Sequence, residues 1–221
     1  IGSINIETLI IKYRLNIYAE HFFPINHSLL AIPGSKLKDI KDVYSHTAAL
    51  SQANSFIRKN NLKENVMADT AGSALYVSKT KDKTKAANAS KQSAKIYGLQ
   101  VINDKIQDEE ENFTRFLVFQ KNVGQPKYLK EKKFITSFLF KLKNKPSALF
   151  QSLTGMSLRQ VDMTKLQSFP EKGTFSSYYF FCEVQGHIED EKISGALSDL
   201  ELHCSEFQLL GVFEQSKFRQ R

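Results

Sequence analysis

Four short stretches of this 221-residue chain combine residue types that can handle a small anionic molecule. Ile1-Gly2-Ser3 precedes a helical pattern, Tyr44-Ser45-His46-Thr47 precedes another, and Asp69-Thr70-Ala71-Gly72-Ser73 joins a strand to a helix. Backbone N–H groups at a helix start, with Ser and Thr hydroxyls beside them, bind carboxylates. Three such turns could converge on one ligand between two lobes. Taken singly, each reads first as an ordinary N-cap. The fourth stretch, Thr114-Arg115-Phe116, opens an apolar strand directly after the acidic run Asp108 to Glu111. An Arg at that place needs a partner, either those acids or an anion. The neighbouring Thr offers an O–H donor on a stiff side chain, suited to orienting a ligand or passing a proton.

Other chemistries have no footing. No glycine-rich nucleotide loop, His-Glu-x-x-His or Gly-x-Ser-x-Gly occurs, and His21, His27, His46, His187 and His203 lack metal-ligand spacing. Neither a metal nor a cofactor is expected. Cys182 and Cys204 read as buried small hydrophobes of a reducing compartment, which points to the cytoplasm. The net charge of +8 invites a nucleic-acid partner. However, the lysines of 79–95, 127–133 and 141–145 are scattered, and no aromatic side chains suited to base stacking interleave the first of these runs. They read as a solvated surface. No apolar run approaches the ~20 residues of a membrane span.

The elements that must position these residues fall into two groups. Residues 1–121 alternate strand and helix patterns: a helix over 7–13, strands over 16–23 and 29–32, and a helix over 48–59 capped by Ser45 or Thr47. A strand over 66–68 follows, then helices beginning at Ala74 and spanning 86–97, and a strand over 114–120. This alternation predicts an α/β layer with largely parallel pairing. Residues 122–132 read as a linker. Residues 133–221 predict strands over 134–143, 156–169, 175–186 and 207–213, with helices over 147–153 and 190–202. That β-α-β-β-α-β order is the ferredoxin-like split unit.

Asn112-Phe113-Thr114-Arg115-Phe116-Leu117-Val118 resembles the Thr-Arg-Phe signature of prephenate dehydratases. Tyr44 to Gln52 is similar to the family's Ser-His-x-x-Ala-Leu segment, and Asp69 to Ala74 to its small-residue turn. Ala86 to Ser90 with Tyr97-Gly98-Leu99 resembles the stretch that leads to Thr-Arg-Phe, and Ile1-Gly2-Ser3-Ile4 with Thr8-Leu9 resembles its Glu-Gly-Ser-Val-x-x-Thr-Leu segment. The tail resembles the ACT regulatory domain. The resemblance implies an α/β, two-lobed, periplasmic-binding-protein-like catalytic domain over 1–121, N-terminally incomplete, and a C-terminal α+β ferredoxin-like ACT domain over 133–221. The family's Gly-Pro-x-Gly and Glu-Asn-Ser motifs are missing, so these residues alone are expected to be inactive and poorly folded. The family's Gln after Ser-His is replaced by Ala48, its Gly-Ala-Leu reads Ser147-Ala148-Leu149, and its Glu-Ser-Arg-Pro reads Gln167-Ser168-Phe169-Pro170.

The implied activity is a lyase that converts prephenate to phenylpyruvate with loss of CO2 and water, in phenylalanine synthesis. Carried onto this chain, Thr114 assists the departing hydroxide, Arg115 binds a carboxylate or positions the strand, and Phe116 packs the site wall. Gly2, Ser3, Ser45, His46, Thr70, Ala71, Gly72 and Ser73 hold the substrate. Asn144, Pro146, Ala148, Leu149, Leu166, Gln167 and Ser168 form an effector site for L-phenylalanine. Arogenate dehydratase and a non-catalytic amino-acid sensor are the alternatives. A homodimer or homotetramer is expected, with neither nucleic acid nor membrane as partner.

Overall fold

A computed structural model describes Ile10, Tyr13 and residues 15–122, 124–171, 174 and 177–220. Two compact units emerge: one of residues 23–114, the other of residues 1–22 together with 115–221. The predicted helix over 7–13 lies almost wholly outside the described residues; Ile10 and Tyr13 are helical.

The unit over 23–114 is a five-stranded sheet in the order β4-β3-β5-β2-β6. Its strands are β2 (Ser28–Ala31), β3 (Asp42–Ser45), β4 (Lys63–Val66), β5 (Lys85–Ala89) and β6 (Gln100–Asn103). β3 runs parallel to β4 and β5, whereas β2 runs antiparallel to β5 and β6, so the sheet is mixed rather than largely parallel. On one face Leu29, Ala31, Val43 and Ala86 pack under α1 (Thr47–Ser51) and α2 (Asn54–Lys59). On the other, Leu30, Ala87 and Ala89 pack under α3 (Thr70–Thr80) and α4 (Lys91–Tyr97).

Three expectations are corrected here. Residues 86–97 are not one helix, because Lys85 to Ala89 form a buried central strand and the helix starts only at Lys91. Alanine's helix propensity is a weak prior, and the need for small residues between two helical layers overrides it. Residues 48–59 form two short helices that break at Gln52-Ala53, and His46, not Ser45 or Thr47, is the N-cap. The helix after Asp69 begins at Thr70, a turn before Ala74.

The other unit holds the four-stranded sheet β11-β8-β10-β9, with every neighbouring pair antiparallel. Its elements run β8 (Phe134–Leu142), α5 (Ala148–Leu158), β9 (Met163–Pro170), β10 (Tyr178–Gln185), α6 (Glu191–His203) and β11 (Cys204–Glu214). The order is ferredoxin-like, as expected. The predicted strand start at Met156 is wrong, because α5 continues through Gly155 and Met156 to Leu158. Gly155 is needed there for contact: a Cβ at that position would lie 2.7 Å from a carboxylate oxygen of Asp199 on α6. Asp199 in turn pairs with Arg159.

One face of this sheet is filled by Phe138, Phe140, Met156, Cys182 and Leu200 under the two helices. Burial pushes the Cys182 thiol up to about 12, leaving it an inert hydrophobe. A ribbon of β1 (Asn16–Pro24) and β7 (Phe113–Gln120) packs on the opposite face. Ile10, Ile17, Leu117 and Phe119 meet Ile135, Leu139, Phe181, Leu210 and Phe213 there. The backbones touch at Gly211, where a Cβ would lie 2.1 Å from the Ile17 carbonyl oxygen.

Candidate active site

In the five-stranded unit, the carboxyl ends of β3, β4 and β5 lie side by side, with Ser45 opposite Val66 and Tyr44 opposite Ala87. Each strand hands over to a helix at that edge, the position where open α/β sheets bind ligands. His46 caps α1 by accepting the Ala48 N–H at its Nδ1, 3.2 Å away. This leaves Nε2 as the protonated nitrogen of the neutral ring. Asp69 caps α3 by accepting the Gly72 N–H at 2.6 Å, and Ser90 caps α4 by accepting the Ser93 N–H at 3.2 Å. The first N–H groups of three helices therefore face one edge, where positive helix-end charge favours a carboxylate.

The predicted substrate-binding residues divide within this arrangement. His46 and Ala71 are exposed, and Thr70 and Gly72 are half-buried at the start of α3. Ser45 and Ser73 are buried, and their hydroxyls already donate inward, to the Asn88 carbonyl at 2.6 Å and the Asp69 carbonyl at 2.7 Å. These two serines brace the turns. Asn88 extends the brace, since its side-chain amide donates to the Ala49 carbonyl at 2.8 Å and so ties β5 to the first turn of α1. Gly2 and Ser3 lie outside the described residues.

Thr114 closes this unit in sequence, and the segment before it is laced to the α1–α2 break. The Gln52 carbonyl accepts the Asp108 N–H at 2.7 Å, and its side-chain oxygen accepts from Asn112 at 3.2 Å and bonds His27 at 2.8 Å. The Asn112 carbonyl accepts the Ile25 N–H at 2.8 Å. Asp108 serves Ser55 at the start of α2. Asp108 is therefore structural, and Arg115 takes its carboxylate partners from elsewhere, Glu20 and Glu183.

Along β7 exposure alternates strictly, with Thr114, Phe116, Val118 and Gln120 on the open face and Arg115, Leu117 and Phe119 on the other. The Thr-Arg-Phe triplet is split by the period of a strand. Phe116 is 53% exposed, beside Thr114 on the open side. Arg115 points the opposite way, into the ferredoxin-like unit. Its Nη1 and Nη2 grip the Glu183 carboxylate at 2.6 and 2.9 Å, and its Nε donates to Glu20 at 2.8 Å.

Glu20 and Glu183 are fully buried, and Arg219 completes a neutral quartet by donating to both oxygens of Glu20 at 2.9 and 3.1 Å. The Ser137 hydroxyl donates to Glu183 and the Ser216 N–H to Glu20. Burial alone would raise the Glu20 carboxyl and lower the Arg115 guanidinium. The hydrogen bonds and opposite charges prevail, so Glu20 is held below the usual carboxylate range and Arg115 is held above its own ordinary value. The reading from sequence missed Glu20, Glu183 and Arg219. For Glu183 the signal is an acid inside an apolar strand, Phe180-Phe181-Cys182-Glu183-Val184.

One cavity region lies wholly in the ferredoxin-like unit. A cavity of about 280 Å³ is lined by Leu142, Asn144, Ala148, Leu149, Tyr178 and Phe180, among others. Three predicted effector residues, Asn144, Ala148 and Leu149, are on its wall. Ser168, Gln167 and Leu166 sit on β9, paired with Phe180, Phe181 and Cys182 of β10. Pro146 is not in the lining.

The prephenate dehydratase family model matches residues 2–123, more than half of the chain. The chain belongs to the prephenate dehydratase family. A bifunctional N-acyl-homoserine lactone acylase/prephenate dehydratase of Komagataeibacter europaeus is 34% identical, over 98% of this chain and 77% of that protein. The chloroplastic arogenate dehydratase/prephenate dehydratase 1 of Arabidopsis thaliana is 30% identical, over 96% of this chain and 57% of that protein. A crystal structure of the prephenate dehydratase of Arthrobacter aurescens in complex with L-Phe superposes with a TM-score of 0.81. It is 26% identical, over 91% of this chain and 66% of that one. The chain thus spans from about half to three quarters of these relatives. Prephenate dehydratases share the two-part fold described above, a periplasmic-binding-protein-like catalytic domain followed by a ferredoxin-like module.

Proposed function

We propose that this protein converts prephenate to phenylpyruvate, with Thr114 acting on the leaving hydroxyl. Loss of the ring carboxylate as CO2 sends its electron pair into the ring as the C–OH bond breaks. Hydroxide leaves with a proton as water, and the ring becomes aromatic. Little has to be supplied beyond help for the departing oxygen. The observation that carries this reading is the split of the triplet: Thr114 and Phe116 stand on the open face of β7, and Arg115 is fully engaged behind it. A threonine hydroxyl is too weak an acid to protonate hydroxide unaided, so orientation and desolvation supply much of the effect. The side-chain carboxylate of the substrate is then left to the helix starts at His46–Ala48 and Thr70–Gly72, where N–H donors and positive end charge meet.

Thr114→Ala in the full-length protein should lower kcat by roughly 10²- to 10⁴-fold. Its KM should stay within about threefold, followed by the absorbance of phenylpyruvate. An unchanged kcat removes Thr114 from the chemistry. Arogenate is the second substrate to test, because the Arabidopsis relative carries both activities in its name. The two differ in an amino group against a keto oxygen, and parallel assays for phenylalanine and phenylpyruvate separate them. A sensor that binds either acid without product fails both assays.

For regulation, the 280 Å³ cavity with Asn144, Ala148 and Leu149 on its wall is the proposed L-phenylalanine site of an ACT domain. The L-Phe complex of the Arthrobacter relative supports it. Titration calorimetry with L-phenylalanine on wild type and on Ala148→Trp, which fills the cavity, is the check. Equal heats from both would move the effector elsewhere. A cytoplasmic homodimer or homotetramer remains our expectation, to be read by light scattering and by fractionation.

A further inference from the structure

We infer that Glu183, on the ferredoxin-like module, is a positioning residue for the dehydratase reaction, acting through Arg115 on Thr114. The inference rests on the role proposed above for Thr114. Arg115 has five N–H donors, and three of them are spent on two carboxylates that have no exposure to solvent. Turning Arg115 toward a substrate carboxylate would strip Glu183 of its two-pronged partner and Glu20 of one of its two cations, and a buried charge that loses its main partner is not tolerated. Arg115 is therefore fixed in place. Because it is the residue next to Thr114 in a strict two-residue alternation, fixing its side chain fixes the roll of β7 and the direction of the Thr114 hydroxyl.

The grip is specific in geometry as well as in charge. Glu183 receives Arg115 in a two-pronged contact, which sets the guanidinium plane, and Ser137 on β8 holds the carboxylate from its other side. β10 itself is held between β8 and β9 over most of its length. The carboxylate is thus mounted on an interior strand, whereas Glu20 sits on the ribbon β1 together with β7. Glu183 is the member of the quartet that refers β7 to a rigid sheet.

The experiment compares Glu183→Gln, Glu183→Asp and the pair Arg115→Gln/Glu183→Gln, which keeps the charge of the quartet balanced. Glu183→Gln should lower kcat by about 10- to 100-fold, the loss expected when a reacting group shifts by about 1 Å. KM should change by less than about threefold, since substrate contacts are untouched. Glu183→Asp, which keeps the charge, should recover part of that loss. The balanced pair should fold even where the single variant does not, and it should remain slow. Wild-type kcat in folded Glu183→Gln, or full recovery in the balanced pair, overturns the inference. Hydrogen exchange supplies a reading that needs no substrate: amides of 113–118 should exchange faster in Glu183→Gln, and unchanged protection there overturns the inference too. If wild type releases no phenylpyruvate, the catalytic reading fails alone, and exchange still decides the positioning.

Discussion

The two units solve the packing problem with opposite materials. The five-stranded sheet is buried with Ala31, Ala86, Ala87 and Ala89 at its centre, against Ala53, Ala74 and Ala94 from the helices. The ferredoxin-like sheet is buried with Phe138, Phe140, Phe169, Phe181 and Phe213. Alanine brings helices close to a sheet, so that three helix starts crowd one edge. Phenylalanine fills a wider gap and gives a stiff slab, and the charged quartet is mounted against it. The difference separates a unit whose layers close up on small residues from one that mounts a buried charged cluster against an aromatic slab.

That contrast can be broken by substitution. Removing bulk should hurt the aromatic slab most: Phe138→Ala should cost about 3–5 kcal/mol in urea unfolding. Adding bulk should hurt the alanine sheet: Ala87→Leu, under α3, should cost about 1–3 kcal/mol through overpacking. A neutral Ala87→Leu would mean that the alanine layer has room to spare and that close approach is not its purpose. A smaller, pH-dependent effect should mark the quartet. The Glu20 carboxyl is held below its usual value in the folded protein. Its contribution is therefore present at neutral pH and lost as the pH falls through that lowered value. Unfolding midpoints followed from pH 7 to pH 3 should fall less steeply in Glu20→Gln than in wild type. Parallel slopes would show that the carboxylate contributes nothing through its charge.

Most of the tail's architecture is legible in the sequence, because the nearly continuous apolar run of Phe134 to Leu142 and the helical rhythm of Ile193, Leu197 and Leu200 are written in large apolar residues. Small residues carry no such rhythm. Ala86-Ala87-Asn88-Ala89 has the composition of a helix and the position of a strand, and only the layers above and below decide between them. The candidate site shows the same limit. Thr114 and the helix starts are visible as local chemistry. Glu20, Glu183 and Arg219 reach Arg115 across 95, 68 and 104 residues of sequence, respectively, or meet it through one another. No local pattern reports that meeting, beyond the oddity of an acid among phenylalanines.

The chain order of the second unit has a consequence in time. β1 is made before the five-stranded unit and its ribbon partner β7 after it, so Glu20 waits 95 residues for Arg115 and 199 for Arg219. At ribosomal speed those intervals are roughly 5–20 s and 10–40 s. Residues 23–114 form one continuous stretch, complete before either arginine that serves Glu20 has been added. During that interval an emerging strand carrying Ile17, Phe22 and an unpaired carboxylate has no native surface to rest on. The arrival of Arg219, 199 residues after Glu20, and not that of Arg115, completes the set of partners that gives β7 a fixed address.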